Sequence, residues 1–241
     1  MRTSPHHRLF ALAVSVFLGW GLVAEGRTAS AGGWVPLAVR AAPRSPGTAQ
    51  LPSETRQVQA PPLQVPAEGP SPGNPVVVVS TSLGDITLEL FKAQAPVSVQ
   101  NFLNYATDGF YTDTVFHRVR KGFMIQGGGY TASLVEKPAR PPIQNEATNG
   151  LRNLRGTVAM ARRATLRSAT SQFYINVADN RSLDHTGYSP DEFGYAVFGR
   201  VLDGLDVADR IAAVPTRKTA DMEDVPVEPV IIKGVRVLKQ G

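Results

Sequence analysis

The chain predicts an all-β domain, an antiparallel barrel of seven or eight short strands, closed or nearly closed, with two helices covering its ends. Three observations predict it. Short β-branched and aromatic runs, bounded by Gly, Pro, Asn and Ser, recur from Val76 to Leu238. Only two stretches carry helical spacing, and they do not alternate with the strands, which disfavours a βαβ sheet. The length from Pro75 onward suffices for one sizeable core, and closure would remove exposed strand edges.

Residues 76–80 form a β-branched run, Ser82-Leu83-Gly84 a turn, and 86–90 an alternating strand, together an opening hairpin. Pro96 suits the first turn of a helix over 96–107, whose apolar positions Val99, Phe102, Leu103 and Ala106 share a face before Gly109 stops it. Strands follow at 115–120, 123–126, 156–161, 173–177 and 196–200, with a long Pro-containing irregular section over 131–155. A second helix spans 205–212 with Leu205, Ala208 and Ile211 apolar, and 229–238 holds a closing strand or strand pair.

The stretch at 115–129, VFHRVRKGFMIQGGG, carries the densest set of functional groups. Period-2 alternation puts Phe116, Arg118 and Arg120 on one face and Val115, His117 and Val119 on the other. Met124 and Gln126 share a face opposite Phe123 and Ile125, and the bend after Gly122 lets Phe123 and Met124 line one cavity. Three glycines then permit positive φ or close backbone approach.

Charge and composition exclude several chemistries. The chain has 25 Lys and Arg against 20 Asp and Glu, and no Lys/Arg cluster is interleaved with aromatics, so nucleic acid is not an expected partner. Arg162, Arg163 and Arg167 read as a solvated patch. The chain has no Cys and only 4 His, without HxH or HExxH spacing, so no disulfide, thiolate nucleophile or metal is expected. Ser171, His185 and Asp184 lack a nucleophile-elbow context, and the glycine triplet is not followed by GK[ST], so neither covalent catalysis nor a phosphate cradle is expected.

The N-terminus reads as an export signal over 1–31. Arg2 and Arg8 precede an uncharged apolar run at 9–24, with cleavage after 24 or 31; an uncleaved membrane anchor is the alternative. Residues 32–74 are rich in Pro, Ala, Ser, Gly and Gln and read as a flexible, partly extended linker. The folded domain is then expected over 75–241.

What remains is a site shaped for a transition state. Arg118, in mid-strand, offers a planar fork of donors toward Phe123, Met124 and Tyr174, with Gln126 and Gln172 supplying amides. Periodicity alone does not choose between Arg118 and Arg120.

The segments FHRVRKGFMIQGGG at 116–129, VAMAR at 158–162, SATSQFYINV at 168–177 and GYAVFGRV at 194–201 resemble the cyclophilins, peptidyl-prolyl cis–trans isomerases, above all those exported by Gram-negative bacteria. The resemblance implies a closed eight-stranded barrel and isomerase activity on X–Pro bonds of exported polypeptides, without a cofactor. It puts the catalytic arginine at Arg118, supported by Gln126, and the proline pocket on Phe123, Met124, Tyr174 and Leu183. Ala161, Arg162, Gln172 and Tyr195 then border the peptide groove, with Arg162 where many relatives have asparagine. Ser182 stands where eukaryotic members carry a tryptophan associated with cyclosporin, so weak cyclosporin binding is implied. The Tyr174 hydroxyl is expected to point outward or to meet a water, and His117 to be a buried structural residue. A monomer in the periplasm, or anchored to the inner membrane and facing it, completes the expectation. The competing function is a chaperone or scaffold that grips proline segments without turnover.

Overall fold

The computed structural model describes residues 69–239. The expected signal at 1–31 and most of the expected linker lie outside the described residues. In chain order the elements are β1 (Val76–Thr81), β2 (Gly84–Leu90), α1 (Pro96–Thr107), β3 (Thr114–Val115), β4 (Arg118–Arg120), β5 (Met124–Gly127), β6 (Tyr130–Thr131), β7 (Thr157–Met160), β8 (Phe173–Asn176), β9 (Val197–Asp203), α2 (Leu205–Ala212), β10 (Thr216–Arg217), β11 (Val225–Pro226) and β12 (Ile231–Lys239). Both helices fall where helical spacing predicted them. The closing segment is one long strand rather than a pair.

A single antiparallel sheet of ten strands runs β4-β5-β8-β7-β9-β2-β1-β12-β3-β6, and β10-β11 stand apart as a two-stranded ribbon. This corrects the expected closed eight-stranded barrel: the count is ten and the hydrogen-bond ladder does not close. The strand predicted at 115–120 is broken at Phe116 and His117, because the Phe116 amide donates to the Val230 carbonyl (2.9 Å) and the Val119 amide to the Asp224 carbonyl (2.8 Å). Its partner breaks at Gly128, whose φ of 82° lies in the left-handed region. The two halves part company, with β3–β6 at one edge of the sheet and β4–β5 at the other.

The break also resets the side-chain alternation. Phe116 joins Val119 in the inner core, while Arg118 and Arg120 face outward, so Phe116 does not share the arginines' face as alternation predicted. The main core packs on one face of the sheet. It is built on Phe102 of α1, whose ring meets those of Tyr111, Phe173 and Phe198 at centroid distances of 5.1, 5.4 and 5.5 Å. Helix α1 begins at Pro96 without a side-chain cap of its own. The Glu146 carboxylate caps it from the irregular section, accepting the Val97 and Ser98 amides at 3.0 and 2.8 Å.

Candidate active site

Strand register sets the site on the outer face of the sheet. Arg118 lies directly opposite Gln126, Gln126 opposite Tyr174, and Tyr174 opposite Ala159, so these four side chains form one row across β4, β5, β8 and β7. Val119, Ile125, Ile175 and Val158 form the neighbouring row and face the core. Beside the outward row lies a second apolar cluster of Phe91, Met124, Leu151, Ala159, Ala161, Tyr174 and Val197, against which Phe123, Leu183 and Tyr195 pack. Every apolar residue expected in the pocket or along the groove therefore falls in one patch. Phe123 reaches it from the turn before β5, where Gly122 at φ 68° bends the chain.

Arg118 is half-buried, and its Nε stands 3.7 Å from an Asp224 carboxylate oxygen, beyond hydrogen-bond range. Among the described residues its guanidinium makes no hydrogen bond. Arg120, on the same face, is exposed and lays its guanidinium 5.6 Å from the centre of the Phe123 ring. The Gln126 Nε2 donates to Gln172 Oε1 at 3.0 Å. Gln172 packs flat on Gly129, where any β-carbon would collide with its side chain, and its carbonyl accepts the Ala161 amide at 3.0 Å. A cavity of about 680 Å³ opens here, lined by His117, Arg118, Gln126, Gln172, Ala161 and Arg162 among others.

Beneath the neighbouring apolar patch lies a polar layer that the sequence reading missed. Tyr174 is buried and donates its hydroxyl to Asn153 Oδ1 at 2.7 Å, correcting the expectation that it meets solvent. Burial pushes the phenol well above its usual pKa, so it stays a neutral donor. Asn153, fully buried, in turn donates its Nδ2 to the Leu183 carbonyl at 3.1 Å, and its backbone N–H donates to Asp184 Oδ1 at 2.7 Å. Asn180 donates to the Phe123 carbonyl (2.8 Å) and to Asn176 Oδ1 (2.7 Å). Two loops that carry pocket residues are thus pinned from beneath. Asn153 and Asn180 sit in irregular chain, where periodicity assigns no face, so only their long-range partners reveal them.

Arg162 does not aim its side chain along the groove. Its guanidinium donates to the carbonyls of Gly194 (3.0 Å), Arg163 (3.1 Å), Ala164 (3.2 Å) and Pro190 (2.7 Å), and lies 4.7 Å from the Tyr195 ring centre. Tyr195 stands edge-on to Tyr174 at 5.9 Å and gives its amide to the Leu183 carbonyl at 3.0 Å. His117 is buried, with burial as the main force holding its pKa down to about 4, so it is neutral near pH 7.

The model of the cyclophilin-type peptidyl-prolyl cis–trans isomerases matches residues 76–237, which spans the sheet and the outer-face row alike. The chain belongs to the cyclophilin family. Peptidyl-prolyl cis–trans isomerase A of Dickeya dadantii is 51% identical over 164 residues, covering 68% of this chain and 85% of that one. The isomerase cyp18 of Streptomyces antibioticus is 53% identical over 162 residues, covering 67% and 98%. Among solved structures, a Cryptosporidium parvum cyclophilin-type isomerase determined in the presence of the dipeptide Ala-Pro superposes with a TM-score of 0.59 at 28% identity, over 68% of this chain and 99% of that one. This cyclophilin is accordingly an enzyme, a peptidyl-prolyl cis–trans isomerase whose substrates are proline-containing polypeptides.

Proposed function

We propose that Arg118 carries the isomerisation by donating a hydrogen bond to the prolyl nitrogen as the X–Pro amide twists. Rotation is slow because it breaks amide resonance, at a cost of roughly 18–20 kcal/mol. In the twisted state the nitrogen pyramidalises and accepts a hydrogen bond it cannot accept when planar. A donor fixed beside it therefore stabilises the transition state more than the ground state. The observation that carries this reading is a guanidinium without hydrogen bonds at the edge of an apolar outer-face patch. Asp224 lies close enough to bias its direction and too far to capture it. Phe123, Met124, Tyr174 and Leu183 offer the pyrrolidine ring an apolar seat, while Gln126, braced by Gln172, steadies the arginine and meets the peptide backbone. Ala161, Arg162 and Tyr195 wall the groove. All these groups come from one chain, which fits action as a monomer.

Arg118→Ala should keep its melting temperature within a few degrees and lose about 10²–10³ in kcat/KM on an X–Pro peptide, by analogy with removal of an oxyanion-hole donor. A protease-free assay reads the rate directly, and unchanged turnover would end the assignment. Exchange spectroscopy on the same peptide separates catalysis from mere gripping, since a pure binder leaves the cis–trans exchange rate alone. The substrates we propose are exported proteins in the periplasm, reached either freely or from an inner-membrane anchor. The support is the basic start and uncharged apolar run of residues 1–24. Cell fractionation decides between the two, and recovery in the cytoplasm would exclude both.

A further inference from the structure

We infer that the groove prefers X–Pro segments bearing an acidic residue two or three positions from the proline, on the one side of it that lies over residues 163–167. This rests on the proposed place of the proline beside Arg118. The cavity at that arginine has rims of opposite charge. One rim is the loop leaving β7. There Arg163, with its side chain 77% exposed, has a single loose partner in Glu136 (3.2 and 3.4 Å), and Arg167 is exposed with no carboxylate partner among the described residues. Among the described residues, the Arg162 charge beside them is met only by carbonyl oxygens and the Tyr195 ring. The other rim, beside β4, carries Asp221, exposed and without a cationic partner among the described residues, and Glu223, paired with Lys218. Arg140, also on the wall, is engaged by Asp108.

The strand order sets how far the arginine rim lies from Arg118. From Arg118 on β4 the sheet passes through β5 and β8 to β7, three spacings of about 4.8 Å, or about 14 Å in all. An extended peptide covers that in about four residues at roughly 3.3 Å each. The combined reach of an arginine and a glutamate side chain shortens it to two or three. A proline seated by Arg118 therefore brings a carboxylate at that spacing to Arg163 and Arg167 when it lies on one side of the proline, and turns it toward the rim that carries Asp221 when it lies on the other. Attraction and repulsion act in the same direction, which makes the preference one-sided.

The test is a peptide series with a single Glu, Gln or Lys placed two or three residues before or after the proline, assayed by protease-free turnover. Glu should exceed Gln in kcat/KM by about two- to fivefold, the scale of exposed ion pairs, on one side only. The gain should fade in 1 M salt, where the screening length is roughly 3 Å. Arg167→Glu should lower the Glu-to-Lys ratio on that side. Glu136→Gln, which frees Arg163, should raise the Glu-to-Gln ratio. Equal rates for the three side chains at every position, an equal gain on both sides, or an unchanged ratio in Arg167→Glu would each overturn the inference. Failure of the Arg118 reading shows separately, as undiminished turnover of the neutral Gln peptides by Arg118→Ala.

Discussion

His117 stands next to Arg118 in sequence, yet its titration belongs to stability. The residue is 6% exposed, its Nδ1 lacks a hydrogen-bond partner among the described residues, and its ring lies 4.5 Å from that of Tyr130. Burial holds its pKa down to about 4, with the Arg118 charge pushing the same way and a Val115 backbone contact opposing. The unfolded chain takes up this proton near pH 6.5, so between about 6.5 and 4 it binds more protons than the folded one. Stability is therefore whole above pH 6.5 and falls as the pH drops through that window, by up to about 3 kcal/mol. Urea denaturation from pH 7.5 to pH 4.5 should show the slope, and His117→Leu should flatten it; an unchanged slope in the variant would clear His117 of the effect. Its burial was legible because it sits in an apolar, β-branched run, and so was the shared face of Arg118 and Arg120. The Tyr174 hydroxyl was not. Its partner Asn153 lies 21 residues away in chain without regular spacing, so local pattern holds no trace of the contact.

At the level of elements, local pattern served where hydrogen bonds stay within a helix or a simple hairpin. Helices α1 and α2 and the β1–β2 hairpin are of that kind. It failed where distant chain competes for the backbone: nothing in FHRV foretells that Val230 and Asp224 will take the amides that break the strand. The groove's rim shows the same dependence. Arg162 reaches carbonyls of both the 163–168 loop and the 187–194 loop, so a single side chain ties the two segments. The composition of the patch, three arginines in a short span, reads as solvated surface and hides the tie. Arg162→Ala removes four hydrogen bonds and a ring contact at once. It should raise KM several-fold with a smaller change in kcat, and cost about 1–2 kcal/mol of stability, because the partly exposed carbonyls regain water. Arg162→Lys should restore little, since an ammonium cannot span four divergent acceptors as a planar fork does. Hydrogen exchange distinguishes this from a general loss of stability: protection should fall in both loops while β7 and β8 keep theirs.

For the molecule as a whole, a buried charge ties residues 69–74 to the sheet. Residues 69–74 share the Pro- and Gly-rich composition of the preceding chain and read as linker, but Glu89 recruits them. That carboxylate, 0% exposed on β2, accepts the Ser71 amide at 2.7 Å, the Asn74 side-chain amide at 2.8 Å and Arg200 Nε at 2.7 Å. Arg200 also donates to the Gly69 carbonyl at 2.8 Å. Burial alone would raise the Glu89 pKa; the hydrogen bonds from Asn74, Ser71 and Arg200, with the Arg200 charge, outweigh it and hold the carboxyl below 4.5. The depressed pKa contributes stability above pH 4.5, which is lost as the pH falls through the folded-state value. A chain beginning at Pro75 loses two donors to the carboxylate and one acceptor of the guanidinium, while the ion pair keeps its place between β2 and β9. Compared with a chain beginning at Gly69, it should be less stable by about 1–3 kcal/mol at pH 7, the cost of leaving buried polar groups unmet. Its acid transition should also move to higher pH, because Glu89 then holds its proton more readily. Glu89→Gln should bring the two chains closer together, since the carboxylate that rewards Ser71 and Asn74 is gone. Guanidinium-chloride unfolding of the two lengths at pH 7 and pH 4.5 measures all three effects. Identical midpoints would mean that residues 69–74 rest on the sheet without holding it.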